Sequence, residues 1–305
     1  MKIITRDDIQ KLDIDYVTCY QWGKEVIKSK KNAILPPKIS IKTDEVKGFF
    51  FNIMPSLMGT ENVFGVKVVT RYPDREVSIM GDILLYELKS GELLALMDGT
   101  WITNVRTAVV AVHSMETFAV NDYDTITMIG LGNIAFSFLS VLRDILPHRR
   151  FIIKLKKYKD QHVKMATSFI DHKNFIFEYC DDDTLLKGSQ VIISAVTYAE
   201  KDFFQEENFE NGVTVIPIHT RGFSNCDLSF DKVFVDDIEH VRGFKNFDRM
   251  KVVNEVCDVV NKNVEGRKSQ KERILVYNIG ISIQDVYFAK KIYEKYIEKG
   301  YNDEK

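Results

Sequence analysis

Thr125 to Ala135 reads Thr-Ile-Thr-Met-Ile-Gly-Leu-Gly-Asn-Ile-Ala, an apolar run that enters two closely spaced glycines and leaves into a helix-compatible stretch, Phe136 to Leu146. The chemistry of such a turn is anion capture. Gly130 permits a tight turn, Gly132 lets the backbone approach a phosphate with no Cβ in the way, and Ala135 in the third glycine position still permits close helix–strand packing. The helix start adds unpaired N–H groups and the positive end of a dipole. Gly130, Gly132, Asn133 and Ile134 are therefore the expected contacts of a dinucleotide pyrophosphate. An ordinary strand-to-helix turn is the competing reading.

Two further stretches belong with that turn. Ile153-Lys-Leu-Lys-Lys-Tyr closes the next β-rich run, and Lys156 and Lys157 stand where NAD-selective sites carry Asp or Glu for the ribose hydroxyls. Basic residues suit a 2′-phosphate, so NADP is favoured over NAD, although two lysines merely exposed at a strand end would look the same. Ser194-Ala-Val-Thr197 ends another β-rich run, where open α/β sheets bind ligands, and places Ala195, Val196 and Thr197 along the nicotinamide ribose.

The elements that must hold these residues follow from pattern. Residues 1 to 30 read as helical, starting at a Thr5-Arg-Asp-Asp8 segment that resembles a capping box, and Pro36-Pro37 ends the region. Short β-rich runs fill Ile39 to Tyr86, Lys89-Ser-Gly91 joins two of them as a hairpin, and Ile102 to Phe118 reads as a helix. From Asp124 strand and helix alternate: Thr125–Ile129, Phe151–Leu155, Phe175–Phe177, Val191–Ala195, Val213–Ile218, Val233–Val235 and Ile274–Asn278 are strands, and Ile283 to Lys299 is a final helix. Alternation of this kind predicts an α/β fold with a Rossmann-type doubly wound parallel sheet, joined to a second, mixed α/β domain. Asn261 to Lys271 reads as an exposed polar loop.

At 305 residues the chain has room for two domains. A formal charge of -2 gives no basic excess, so nucleic acid is not an expected partner. No run approaches bilayer length and the first residues lack the apolar centre of a signal peptide, which predicts a cytoplasmic protein without a membrane partner. Cys19, Cys180, Cys226 and Cys257 are far apart and read as reduced, mostly buried thiols. His113, His148, His162, His172, His219 and His240 show no spacing that sets two on one face, and no metal is expected.

Met54-Pro55, Gly65-Val-Lys-Val-Val-Thr70, Ala95-Leu-Met-Asp-Gly-Thr-Trp-Ile-Thr-Asn-Val-Arg-Thr-Ala108, the glycine turn and Asn278-Ile-Gly-Ile-Ser-Ile-Gln-Asp285 occur in that order over nearly the whole chain. Together they resemble the ornithine cyclodeaminase and mu-crystallin family, with Asp-Gly-x-x-x-Thr-x-x-Arg-Thr as the most specific part. The resemblance implies a homodimer that binds NAD or NADP and acts on amino acids or their imines. It also implies a substrate-binding and dimerisation domain from residues 1–118 with 283–305, and a nucleotide domain from residues 119–282.

Residue by residue, the resemblance assigns Lys67 to the substrate near its reacting carbon and Arg106 to its carboxylate, for which a planar guanidinium fork is suited. Lys67 sits in a strand whose neighbours Val66 and Val68 point to the opposite face; a solvated edge lysine is the alternative. Lys38, where the family usually has Arg, is a second carboxylate clamp with the charge but not the fork. Thr107 falls near the cofactor phosphate, and Gly280 near the nicotinamide.

Cyclodeaminases of the family carry an Asp after the strand that here reads Val215-Ile-Pro-Ile-His-Thr. Here His219, Thr220 and Arg221 fill that segment, with Asp227 a candidate to replace the missing carboxylate. Phe49, Phe50, Phe51, Trp101 and Tyr198 would form an apolar pocket or, as the simpler reading, ordinary core. The reading that follows is an NAD(P)-dependent oxidoreductase transferring hydride at the α-carbon of an amino acid or cyclic imine. Ornithine cyclisation with ammonia release, or ligand binding without turnover, are the alternatives.

Overall fold

A computed structural model of the chain describes residues 1–196, 206–219 and 226–300. Thr197, Tyr198, Thr220 and Arg221 lie outside the described residues. In chain order the first elements are β1 (Lys2–Ile4), α1 (Arg6–Lys11), α2 (Tyr16–Ser29), β2 (Ala33–Ile34), β3 (Ile39–Ile41), β4 (Phe50–Met58), β5 (Val63–Arg71), β6 (Ile79–Glu87), β7 (Leu93–Asp98) and α3 (Thr100–Phe118). Then come β8 (Thr125–Ile129), α4 (Asn133–Ile145), β9 (Phe151–Lys156), α5 (Gln161–Ser168), β10 (Phe175–Cys180), α6 (Asp182–Leu185) and β11 (Val191–Ser194). The last are β12 (Thr214–Pro217), β13 (Lys232–Val235), α7 (Ile238–Val241), β14 (Val253–Glu255), α8 (Val256–Val260), β15 (Ile274–Tyr277) and α9 (Ser282–Glu298).

These elements form two compact units, Met1–Arg106 with Ile281–Lys305, and Thr107–Gly280. The first is a mixed sheet in the order β1-β7-β6-β5-β4-β2, with β3 also on β4. The N-terminal residues expected to be helical open instead with β1, which pairs in parallel with β7. Only a distant edge partner makes this strand, so local pattern does not announce it. Thr5 then starts α1 through a reciprocal cap: Asp8 N donates to Thr5 Oγ1 at 3.3 Å, and Thr5 N to Asp8 Oδ2 at 3.0 Å.

Along β5 burial alternates, with Val63, Gly65, Lys67 and Val69 on the buried face and Phe64, Val66 and Val68 half-buried on the other. The buried face packs on α9, as Gly65 shows: an added Cβ would lie 2.6 Å from Leu84 O and 3.0 Å from Val286. Behind α9 lies α2, with Trp22 edge-on to Phe288 at 5.5 Å between ring centroids. In register on the opposite face stand Leu57, Phe64, Val66, Leu84, Tyr86 and Leu96, all apolar and only half-buried.

The second unit is a parallel sheet ordered β10-β9-β8-β11-β12-β15-β13-β14. Its first five strands follow the doubly wound order with the reversal between β8 and β11, as the alternation predicts, and β15 then enters between β12 and β13. All four residues of β11, β12 and β15 are buried, which is why these strands are short apolar runs without polar alternation. The short elements β14, α6, α7 and α8 carry too few residues to show a period. The expected exposed loop 261–271 is pinned at its centre, because Arg267 donates to Phe118 O at 2.8 Å, Gly212 O at 3.0 Å and Thr214 Oγ1 at 2.9 Å. Cys19, Cys180, Cys226 and Cys257 are free and buried. Among the described residues no helix is long and apolar enough to cross a membrane.

Candidate active site

In the first unit β5, the first turns of α3 and the start of α9 bring five charged or polar side chains together. Asp98 prepares α3 by accepting from Thr100 N at 2.9 Å, and the Gly99 amide bonds Gly81 O at 2.7 Å. Three residues apart on one helix face, Thr103 and Arg106 then point the same way. Lys67 Nζ donates to Asp285 Oδ1 at 2.9 Å and to Thr103 Oγ1 at 3.3 Å. Arg106 Nε donates to the same Asp285 oxygen at 2.8 Å, and its Nη1 to Gln284 Oε1 at 3.2 Å. Ser282 anchors the start of α9 by donating to Pro55 O at 2.6 Å.

Burial decides the character of this cluster. Lys67 is 1% exposed, Arg106 4% and Asp285 0%. The edge-strand reading of Lys67 therefore fails: the lysine is on the core face and the valines beside it are the more exposed. Two cations share one carboxylate away from water, leaving a net positive charge that favours an anionic ligand. Burial pushes the Lys67 ammonium down to about 8, with Asp285 opposing the shift and Arg106 and, more weakly, Lys38 adding to it. Lys38 itself is half-buried. Asp285 Oδ2 is buried without a hydrogen-bond partner.

Phe49, Phe50, Phe51 and Trp101 are half-buried, and Phe49 packs edge-on against Tyr72 at 5.0 Å between ring centroids. Asp285, Gln284 and Thr103 lie within the quoted motifs but sequence reasoning gave them no role. An acid in the first turn of a predicted helix was the available signal for Asp285.

In the second unit the glycine turn has two different glycines. Gly130 holds φ +82°, and an added Cβ would lie 2.7 Å from the Ala195 carbonyl, so chain geometry alone requires glycine. Gly132 is exposed, begins α4 without a side-chain cap, and an added Cβ there meets nothing within 4 Å. Asn133 is exposed and Ile134 half-buried beside it. The turn thus offers free N–H groups and a Cβ-sized space above Gly132, and so fits a dinucleotide pyrophosphate.

The other predicted cofactor residues distribute as follows. Ala195 and Val196 leave β11 half-buried, and Thr107 is buried in α3. Gly280 has φ +81° and donates its N–H to Asp236 Oδ2 at 2.8 Å. Lys156 pairs with Asp182 at 2.7 Å and Lys157 with Asp181 at 2.9 Å, so both have carboxylate partners at the end of β10. Asp227 is buried and accepts from Asn246 Nδ2 at 2.7 Å.

His219 Nε2 lies 2.6 Å from Ser194 Oγ, a pair that the sequence did not announce. Glu255, Cys257 and Asp258 bring ligand-type atoms within 4.8 Å of one another. Glu255 accepts from Ile238 N and from Cys257 Sγ, which ties that group into the fold.

Residues 14–300 match the ornithine cyclodeaminase/mu-crystallin family, and the chain belongs to it. Nodulation efficiency protein NfeD of Rhizobium meliloti is 24% identical over 304 residues, covering 95% of this chain and 94% of that protein. Among solved structures, the Delta(1)-pyrroline-2-carboxylate reductase of Thermococcus litoralis, in complex with NADH and L-proline, superposes with a TM-score of 0.83 at 22% identity and covers 98% of both chains. An archaeal alanine dehydrogenase dimer with bound NAD also gives 0.83, at 20% identity, covering 99% of this chain and 97% of that one. These likenesses establish the α/β fold with its parallel and mixed sheets.

Proposed function

We propose that this chain is an NAD(P)-dependent oxidoreductase acting on an amino acid or its cyclic imine at the α-carbon. The observation that carries this reading is the buried Lys67–Asp285–Arg106 cluster, whose excess positive charge calls for a small carboxylate. The reductase and the dehydrogenase with which it shares its fold support the same class of substrate. Arg106, with Lys38, fixes the carboxylate. Lys67, protonated below about pH 8, orients the substrate nitrogen and passes a proton to it during reduction. Asp285 Oδ2 remains as an acceptor for an N–H donor. The nicotinamide supplies the hydride; the chain supplies position and charge.

The nucleotide is assigned to Thr107–Gly280, with Thr107, Gly130, Gly132, Asn133, Ile134, Ala195, Val196, Thr197 and Gly280 as contacts. NADP is favoured over NAD on Lys156 and Lys157, whose pairing with Asp182 and Asp181 a 2′-phosphate has to displace. Substrate binding and dimerisation are assigned to the other unit. The apolar face bearing Val66 and Leu84 supports a homodimer, since a contiguous apolar sheet face in water marks an interface. Leu84→Lys is expected to give monomers by analytical ultracentrifugation. Buried free thiols agree with a cytoplasmic setting.

Cyclodeamination is the weaker alternative because Asp227 is engaged in the fold. Imine and amino-acid panels with NADH and NADPH, read by absorbance and ammonia release, distinguish net redox from cyclodeamination and from binding alone. Lys67→Ala is expected to abolish turnover with cofactor affinity within a few fold; undiminished turnover removes Lys67 from the reaction.

A further inference from the structure

We propose that Thr103 is a positioning residue for proton delivery: its hydroxyl holds the Lys67 ammonium so that a single N–H is left to point at a substrate nitrogen. The inference rests on reading Lys67 as the proton donor in imine reduction and adds to it the group that aims the donor. All the residues concerned belong to one unit, Met1–Arg106 with Ile281–Lys305.

Donors and acceptors decide it. A lysine ammonium has three N–H donors and no lone pair. Lys67 gives one to Asp285 Oδ1 at 2.9 Å and one to Thr103 Oγ1 at 3.3 Å. Its strand neighbours take none, because Met54 and Ile83, in register with Lys67 on either side, are buried and apolar. The charges that act on Lys67 are Asp285, Arg106 and Lys38, of which only Asp285 can accept, and the Asp285 oxygen it uses also accepts from Arg106 Nε at 2.8 Å. One N–H of Lys67 is therefore without an acceptor among the described residues.

Thr103 reads first as a helix staple, since threonines in helices commonly bond back one turn. Its hydroxyl does donate to Gly99 O, at 2.6 Å. That bond fixes its polarity: a hydroxyl carries one proton, so with the proton on Gly99 O the oxygen meets Lys67 as an acceptor. Gly99 is itself pinned, with its N–H on Gly81 O at 2.7 Å and no room for a Cβ, which would lie 3.1 Å from that same oxygen. The direction of the hydroxyl thus traces back to β6, and that of the ammonium to the hydroxyl.

In reduction the imine C=N bond becomes C–N. A hydride from the reduced nicotinamide forms the new C–H bond, the N–H bond forms with the third Lys67 proton, and Nζ is left as a neutral amine that regains a proton from water. The shorter contact, to Asp285, balances charge; the longer one, to Thr103, aims.

Thr103→Val, Thr103→Ser and Thr103→Cys separate the hydroxyl from the packing, a thiol being a weak acceptor. On the imine that the unaltered chain reduces fastest, Thr103→Val and Thr103→Cys are expected to lower kcat about tenfold and to leave KM within about twofold, because Arg106 still holds the carboxylate. Thr103→Ser is expected to stay within about threefold of the unaltered chain. A staple alone would lower the unfolding temperature and leave kcat where it was.

A second readout needs no turnover. The titration of Lys67, followed through its Cε resonance and assigned by the loss of that signal in Lys67→Met, is expected to move to lower pH in Thr103→Val and Thr103→Cys and not in Thr103→Ser, since an acceptor that favours the charged form has gone. An unshifted titration in the valine and cysteine variants, an unchanged kcat in them, or a serine variant as impaired as the valine one overturns the proposal. If the valine variant does not fold, cysteine against serine decides. An unaltered chain that reduces no imine overturns the redox reading instead, and the titration still tests the hold of Thr103 on Lys67.

Discussion

The cluster around Lys67 and the turn at Gly130–Gly132 are built from opposite materials. In the first, side chains from three elements are buried and bonded to one another, so their electrostatic cost is carried by the folded chain itself. In the second, the groups proposed to bind are backbone amides at an exposed helix start, and little fold energy is invested in them. Substitutions in the cluster must therefore disturb stability and chemistry together, whereas in the turn the two separate.

The largest expected effect breaks the cluster. Asp285→Asn leaves Lys67 and Arg106 facing each other without compensation and is expected to cost about 3–5 kcal/mol in urea unfolding. A loss below about 1 kcal/mol would remove the contrast between the two regions.

Next comes the turn, where one residue should behave as the cluster does and its neighbour should not. Gly130→Ala is expected to destabilise by about 1–3 kcal/mol, because its φ of +82° and the Ala195 carbonyl both oppose a Cβ. Gly132→Val should stay within about 1 kcal/mol of the parent and yet weaken NADH more than tenfold, since its side chain fills the phosphate space. Normal NADH affinity in Gly132→Val means the phosphate rests elsewhere.

A subtler probe is pH. On the role proposed for Lys67, imine reduction is expected to fall as pH rises through about 8, while amino-acid oxidation rises through the same value. Stability has its own sign. Between about 8 and the ordinary lysine value of 10.5 the unfolded chain binds more protons than the folded one, so the Lys67 contribution becomes less unfavourable as pH increases across that window. Flat rate profiles from pH 6 to 10 in both directions exclude Lys67 as the proton carrier. Smallest is the cofactor effect: Lys156→Ala with Lys157→Ala should lower the preference for NADPH over NADH by a few fold, both lysines being partly exposed and already paired. An unchanged ratio removes the basis for an NADP preference.

Much of this was readable before the fold was known, for identifiable reasons. Gly130 and Gly132 are two residues apart and sit between elements whose periods change, so their context travels with them. Lys67 and Arg106 came through motifs of a resembling family. Asp285 was missed as a partner because it meets Lys67 across 218 residues and Arg106 across 179, and no local pattern encodes such a meeting. For the same reason β1 passed as helix, since its identity is supplied by β7. His219 and Ser194, 25 residues apart on adjacent strand ends, are joined only by the parallel register of β11 and β12.

The distance along the chain from Lys67 to Asp285 has a consequence for synthesis. Every strand of the parallel sheet precedes α9 in the chain, whereas the N-terminal sheet needs α9 to cover its face and neutralise its lysine. A released chain truncated after Gly280 is expected to hold a folded middle and an unfinished beginning. Such a chain leaves uncovered the face of the mixed sheet that α9 packs on, so aggregation of it should start from β4 to β7, which are made early and are the last to find their cover.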